Sequence, residues 1–205
     1  LQALDLIVAQ VGAEQGVVAL KEHYHGAVEA LKRELPNHPK LRIHPMGAFY
    51  PAGDEQVIVY EVTGRIVPEG GIPLNVGTIV TNVETALNVL EATEGRPVTE
   101  KYVTLTGAVH TPKTVKVPLG ITVAEALALA GGPTAADYRV VNGGPMMGQL
   151  VSPESAITKT TKGLIVVPAG HPLLGSLERP LNVSTRQAAT ACMQCSLCSE
   201  VCPRG

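Results

Sequence analysis

The sequence has no tryptophan, one phenylalanine and only 3% aromatic residues among its 205 positions. A binder of single-stranded nucleic acid needs aromatic faces on which bases stack, and this chain offers few. It also lacks an excess of basic residues: 16 Lys and Arg stand against 18 Asp and Glu, a formal net charge of −2. No basic face is expected, so nucleic acid has no electrostatic support as a partner. No apolar run approaches the roughly 20 residues of a membrane-spanning helix; the longest, such as Gly163–Ala169, are strand-length. No basic segment precedes an apolar stretch in the manner of a signal peptide. Cysteine is missing until Cys192, so disulfide staples between distant segments, common in small secreted domains, are excluded.

What the chain does contain is 45% hydrophobic residues, and Val, Leu, Ile and Ala must build its core. Leu1–Val11 has helical spacing and stops at Gly12. Gly16–Leu20 suits a buried parallel strand. His25–Leu35 returns to helical spacing and ends at Pro36, and Lys40–His44 reads as a second strand. Helix–strand–helix–strand order marks an α/β layer. Phe49–Glu55 is rich in turn residues, Gln56–Thr63 reads as helix, and Arg65–Val80 is a long Gly- and Pro-rich loop of the kind that carries function. Asn82–Glu94 is a helix with Asn82 at its N-cap.

Composition changes near Gly95–Pro97. Lys101–Val109 alternates as a half-buried strand, and Thr114–Val117, Tyr138–Val141 and Gly163–Val167 read as further strands. Between them, Thr122–Ala130 is a short helix with Thr122 and Glu125 in a capping box. The expected organisation is an α/β region over 1–98, an α+β unit over 99–168, and a linker with the cysteine segment over 169–205.

Cys192, Cys195, Cys198 and Cys202 are separated by two, two and three residues and followed by Pro203. This run has the spacing of bacterial ferredoxins, and short spacers wrap a chain closely around a compact 4Fe-4S cluster. Structural zinc more often uses two Cys pairs divided by a long loop, and two disulfides within eleven residues would be cramped. Two readings of Cys202 stay open: it serves a second cluster, as in two-cluster ferredoxins, or it closes a single cluster locally.

Tyr50-Pro-Ala-Gly-Asp-Glu55, Thr63-Gly-Arg65, Gly70-Gly-Ile-Pro73 and Asn82-Val-Glu-Thr85 follow in an order that resembles the flavin-carrying, NADH-binding subunit of respiratory complex I. The resemblance extends over essentially the whole chain to the RnfC subunits of ion-pumping ferredoxin:NAD oxidoreductases and to PduS-type cobalamin reductases. Thr106-Gly-Ala-Val109 and Val117-Pro-Leu-Gly120 resemble the soluble ligand-binding β-grasp (SLBB) domain of those proteins, and Gly143–Gly148 and Thr158–Thr161 are similar to segments of the RnfC and PduS types. The ending Cys202-Pro-Arg204 leans toward the PduS type.

The resemblance implies an NADH-dependent oxidoreductase in which FMN passes electrons to iron–sulfur clusters and then to an electron-acceptor protein such as ferredoxin, or to a corrinoid. It also implies truncation at both ends, with the glycine-rich flavin loop missing, so that the chain alone lacks dehydrogenase activity. It places Tyr50, Gly53, Asp54 and Glu55 at the turn facing flavin and nicotinamide, and Asn82, Val83 and Thr85 near the flavin phosphate and ribityl chain. Location would be cytoplasmic, peripheral to a multi-subunit membrane complex or inside a bacterial microcompartment. Without the resemblance, Asn82 is simply a helix cap, and Asp54 and Glu55 are solvated turn residues. The reading from another class is a β-grasp module that binds a ligand or subunit and carries a structural four-cysteine metal site. His23 and His25, two residues apart, do not share a helix face and form no metal pair.

Overall fold

A computed structural model describes residues 1–202. The chain divides into two compact units: Leu1–Pro97, to which the segment from Gln194 onward is assigned, and Val98–Met193.

The first unit alternates helices and strands: α1 (Gln2–Val11), β1 (Gly16–Lys21), α2 (His25–Glu34), β2 (Leu41–Met46), α3 (Glu55–Thr63) and α4 (Val83–Thr93). Single 3-10 turns cover Leu35–Asn37 and Pro73–Val76. β1 and β2 pair in parallel from Gly16↔Leu41 to Lys21↔Met46, and α2 is the crossover such pairing requires. Glycine opens β1 for a steric reason. A Cβ on Gly16 would lie 2.6 Å from Leu41 Cδ2 and 2.9 Å from both Leu4 Cγ and Val8 Cγ2, so α1 packs directly over the start of the strand. The His38 ring bonds the Asp5 carboxylate and ties α1 to the turn before β2. Val8, Leu41, Met46, Ala52, Val59, Val67 and Ala86 are the buried hydrophobics of this unit.

The second unit contains β3 (Glu100–Gly107), β4 (Lys113–Pro118), α5 (Val123–Leu129), β5 (Tyr138–Asn142), β6 (Gln149–Val151), β7 (Gly163–Pro168), α6 (Pro172–Leu177) and α7 (Leu181–Ala191). Its sheet has the order β4-β3-β7-β5-β6. The central pair β3–β7 is parallel and its neighbours are antiparallel, which is β-grasp topology. One face buries Val103, Leu105, Val140, Leu164 and Val166 with Val123, Ala126 and Leu127 of α5. On β3 the expected alternation holds, with Lys101 sharing the buried phase of Val103 and Leu105.

The segment after Pro168 departs from the expected linker. It carries α6, whose Leu174 packs with Val141 and Val167, while Leu173 and Leu177 are partly buried beside them. Arg139 pairs with Asp137 and, at 3.4 Å, with Glu178 at the end of this helix. α7 follows with no buried residue. α6 escaped sequence reading because six residues are too few to show a period, and its start uses His171, whose Nδ1 accepts from the Leu173 N–H. β6, three residues long, was missed for the same reason.

The capping box at α5 is complete: Glu125 N–H donates to Thr122 Oγ1 at 3.1 Å and Thr122 N–H to Glu125 Oε2 at 2.8 Å. The Thr122 amide and hydroxyl hold the Glu125 carboxyl below its usual value. This contribution to stability is present above the unfolded carboxylate value and is lost as pH falls through the folded one. Thr122→Ala is expected to lower stability by about 1 kcal/mol, seen as a lower urea midpoint with an unchanged slope. An unchanged midpoint would mean the cap contributes nothing.

Candidate flavin and metal site

The first group of candidate residues lies between β2 and α3. Met46 and Ala52 are buried and anchor the two ends of the turn, while Tyr50 between them is 58% exposed. Asp54 is the N-cap of α3, with extended backbone, and its Oδ1 accepts from the Gln56 N–H at 2.9 Å. Its carboxylate is thereby oriented by the helix start. Glu55 is the first helical residue. Gln56 and Val59, both buried, fix α3 from below.

Gly53 has no such structural role. Its φ lies outside the left-handed region, and a Cβ there would meet nothing within 4 Å. Neither strain nor crowding inside this chain demands glycine there.

The second group opens α4. Asn82 is the N-cap with φ −72° and ψ 145°, and its carbonyl accepts from the Ala86 N–H at 3.0 Å. Ala86 faces the core, whereas Thr85 is exposed and Val83 is 86% exposed. A β-branched apolar residue this open at a helix start suits contact with an apolar or neutral group. Glu84 shares the turn, and its charge works against a phosphate there. Asp54, Glu55, Asn82, Val83 and Thr85 lie at two helix starts of the same unit, and Tyr50 and Gly53 in the turn before α3.

The intervening loop is held by its own polar groups. Arg65 Nη1 donates to the Val76 carbonyl at 2.8 Å, and the Ile72 N–H donates to Asn75 Oδ1 at 2.8 Å. Ile66, Ile72, Leu74 and Ile79 remain exposed on it.

All four cysteines are exposed and none is in a disulfide. Cys192 caps the end of α7, and a one-turn helix, α8 (Leu197–Glu200), contains Cys198. Among the described residues no three His, Cys, Asp or Glu side chains are gathered as a metal site. The donor chemistry nevertheless fits iron–sulfur: four thiols in eleven residues, reachable by solvent, on a backbone with two left-handed residues, Gln194 at φ 56° and Ser196 at φ 63°. Sequence reasoning missed those two residues, since neither Gln nor Ser announces a positive φ. Pro203 and Arg204, which follow the last cysteine, lie outside the described residues. No helix among the described residues is long and apolar enough to cross a membrane.

Residues 1–91 match the family described as the Nuo51 FMN-binding domain, and residues 102–150 match the SLBB domain. The chain is 44% identical over 205 residues to the cobalamin reductase PduS of Salmonella typhimurium (strain LT2), covering 99% of this chain and 45% of that protein. It is 30% identical to a subunit of the Na(+)-translocating ferredoxin:NAD(+) oxidoreductase complex of Acetobacterium woodii, covering 98% of this chain and 43% of that protein. The chain thus spans less than half the length of these relatives. The crystal structure of NAD+-reducing [NiFe]-hydrogenase in the H2-reduced state shares the fold, with TM-score 0.66 and 20% identity, over 81% of this chain and 35% of that one.

Proposed function

We propose that this chain, whose residues 1–91 belong to the Nuo51 FMN-binding domains and whose residues 102–150 form an SLBB domain, is part of an electron-transfer protein of the PduS and RnfC kind. In this reading electrons pass from NADH through FMN to 4Fe-4S clusters and on to a corrinoid or an acceptor protein such as ferredoxin. The observation that supports it most is the relation to both relatives across nearly the whole chain, together with the ferredoxin-type run Cys192–Cys202.

A bound flavin would supply the conversion of a two-electron hydride into single electrons. The residues of this chain would supply position and surroundings. Asp54, held by its cap bond, and Glu55 would accept hydrogen bonds from hydroxyl groups of the nucleotide. Gly53 would leave room for the ring, and Asn82, Val83 and Thr85 would line the chain that links ring to phosphate. The thiols of Cys192, Cys195, Cys198 and Cys202 would ligate iron. The protein would work in the cytoplasm, at a membrane complex or in a microcompartment.

Absorption spectroscopy of the native protein prepared without oxygen tests this reading. Broad visible absorption bleached by NADH is expected. A colourless protein carrying one zinc per chain would instead support a β-grasp binding module with a structural four-cysteine site.

Gly53→Val gives a sharper test of the flavin wall. A Cβ at this position would meet nothing within 4 Å. FMN affinity, measured by fluorescence titration of the native protein, is expected to fall by about tenfold or more, the equivalent of ~1.4 kcal/mol, with the thermal midpoint unchanged. Undiminished affinity would move the flavin away from this turn.

A further inference from the structure

Gly143–Gly148 and Thr158–Thr161 lie outside the flavin and cysteine sites, and the sheet brings them to one end of the β-grasp unit. Asn142, the last residue of β5, pairs with Leu164 of β7, and the Gly143 N–H donates to the Gly163 carbonyl at 2.8 Å. The turn that leaves β5 therefore starts beside the turn that enters β7. Glycines fix the first turn. Gly143 has φ +105°, and a Cβ on Gly148 would lie 2.5 Å from Val141 Cγ1 and 2.6 Å from the Gly144 carbonyl oxygen. The Gly148 N–H donates to that same oxygen at 2.7 Å. Thr161, only 2% exposed, fixes the second turn. Its Oγ1 accepts from the Thr158 N–H at 3.2 Å, and its own N–H donates to the Thr158 carbonyl at 3.1 Å.

These fixed turns display two kinds of side chain. Met146 is 68% exposed and Met147 79%. Adjacent large apolar groups held open to water mark surfaces that meet a partner, and the unbranched thioether adapts to the shape it meets. Across Asn142–Val151 and Thr158–Gly163 the only charged residues are Lys159 and Lys162, both exposed. The chain as a whole carries −2, so this end of the sheet is opposite in sign to the molecule. An apolar pair rimmed by lysines complements an apolar spot rimmed by carboxylates. The patch is small, and interfaces below about 1,200 Å² are the kind formed in transient electron-transfer encounters.

Resting on the electron-transfer reading above, we infer that this end of the β-grasp unit is the docking surface for an acidic electron-acceptor protein: Met146 and Met147 enter an apolar spot at the centre of the contact, and Lys159 and Lys162 meet carboxylates at its rim. Because both turns are already fixed, docking costs little ordering of the backbone. The rim lysines act on approach and set the association rate, which salt screens. The methionines act once water is excluded and set the residence time.

Surface plasmon resonance of the native protein against a purified acidic ferredoxin tests this assignment. Lys159→Glu is expected to slow association about tenfold at low salt, with the difference vanishing at high salt. The double variant Met146→Gln/Met147→Gln keeps side-chain length and removes apolar character. It is expected to speed dissociation about tenfold at every salt concentration. Lys32→Glu makes the same charge change on the exposed side of α2 and is expected to bind as wild type. NADH-driven reduction of ferricyanide, a small acceptor that needs no docking surface, is expected to be unchanged in all variants, as is the thermal midpoint. If the wild type reduces ferricyanide but binds no ferredoxin, or if the Lys159 and methionine variants bind as wild type, the docking surface is wrong and the electron-transfer reading stands. An equal loss in Lys32→Glu would trace binding to overall charge and also overturn it. If the wild type takes no electrons from NADH, the electron-transfer reading fails and this surface falls with it.

Discussion

Gly107→Ala is expected to destabilise the β-grasp unit by about 4 kcal/mol, a large share of the 5–15 kcal/mol that holds a small domain together. Gly107 ends β3 opposite Val166 in the central parallel pair. Its φ is +83°, and a Cβ would sit 2.2 Å from the Val166 carbonyl oxygen and 3.0 Å from the Val166 nitrogen. Both atoms are backbone, so no side-chain rotation relieves the clash. The pair must separate, and the bond from the Ala108 N–H to that same carbonyl, 2.8 Å long, is the first to suffer. Positive φ alone costs an L-residue about 1–2 kcal/mol, and the remainder comes from prying β3 away from β7.

Gly120→Ala separates the two effects. Gly120 has φ +93° but nothing within 4 Å of a Cβ, so about 1–2 kcal/mol is expected there. Urea unfolding of the full chain, followed by amide exchange at Leu105, Leu164 and Val166, measures both. Equal losses in the two variants would show that the close approach of β3 to β7 contributes nothing.

On the proposed electron-transfer reading, Cys195→Ser is expected to abolish one iron–sulfur cluster of the native protein and leave any other in place, whereas Cys202→Ser is expected to spare that cluster and disturb a second. A serine oxygen is a harder ligand than thiolate and holds iron–sulfur poorly. The difference between the two sites follows from the backbone. Cys195 stands between the two left-handed residues, while the Cys202 N–H already donates to the Ser199 carbonyl. Electron paramagnetic resonance of the reduced variants, with iron counted per chain, distinguishes the cases. Loss of the same single signal from both variants, with every other signal intact, would make the four cysteines one closed site.

Much of the local structure was legible in the residues. Thr122 and Glu125 stand three apart before an apolar run and form the capping box that spacing announces. Gly12 caps α1 where the sequence places its end. β3 shows its alternation from Lys101 to Leu105. The cysteine spacing pointed to iron–sulfur chemistry, and the turns around Tyr50–Glu55 and Asn82–Thr85 were located at helix starts. These features depend on contacts between residues a few positions apart, where backbone geometry leaves little choice.

The tertiary structure decided what local pattern does not carry. That β7 lies between β3 and β5, and runs parallel to β3, is a pairing across nearly sixty residues of sequence; every strand here has an apolar face that would fit several orders. α6 belongs to the β-grasp unit because Leu174 finds Val141 and Val167 on the second face of the sheet, not because six residues show a helical period. That a Cβ at Gly53 would meet nothing within 4 Å is visible only in the folded chain, since a glycine in a turn is ordinarily explained by backbone freedom. Gln194 and Ser196 have the composition of any polar spacer. Their left-handed angles exist only in the folded loop, because a backbone dihedral is a property of the conformation and not of the residue that adopts it.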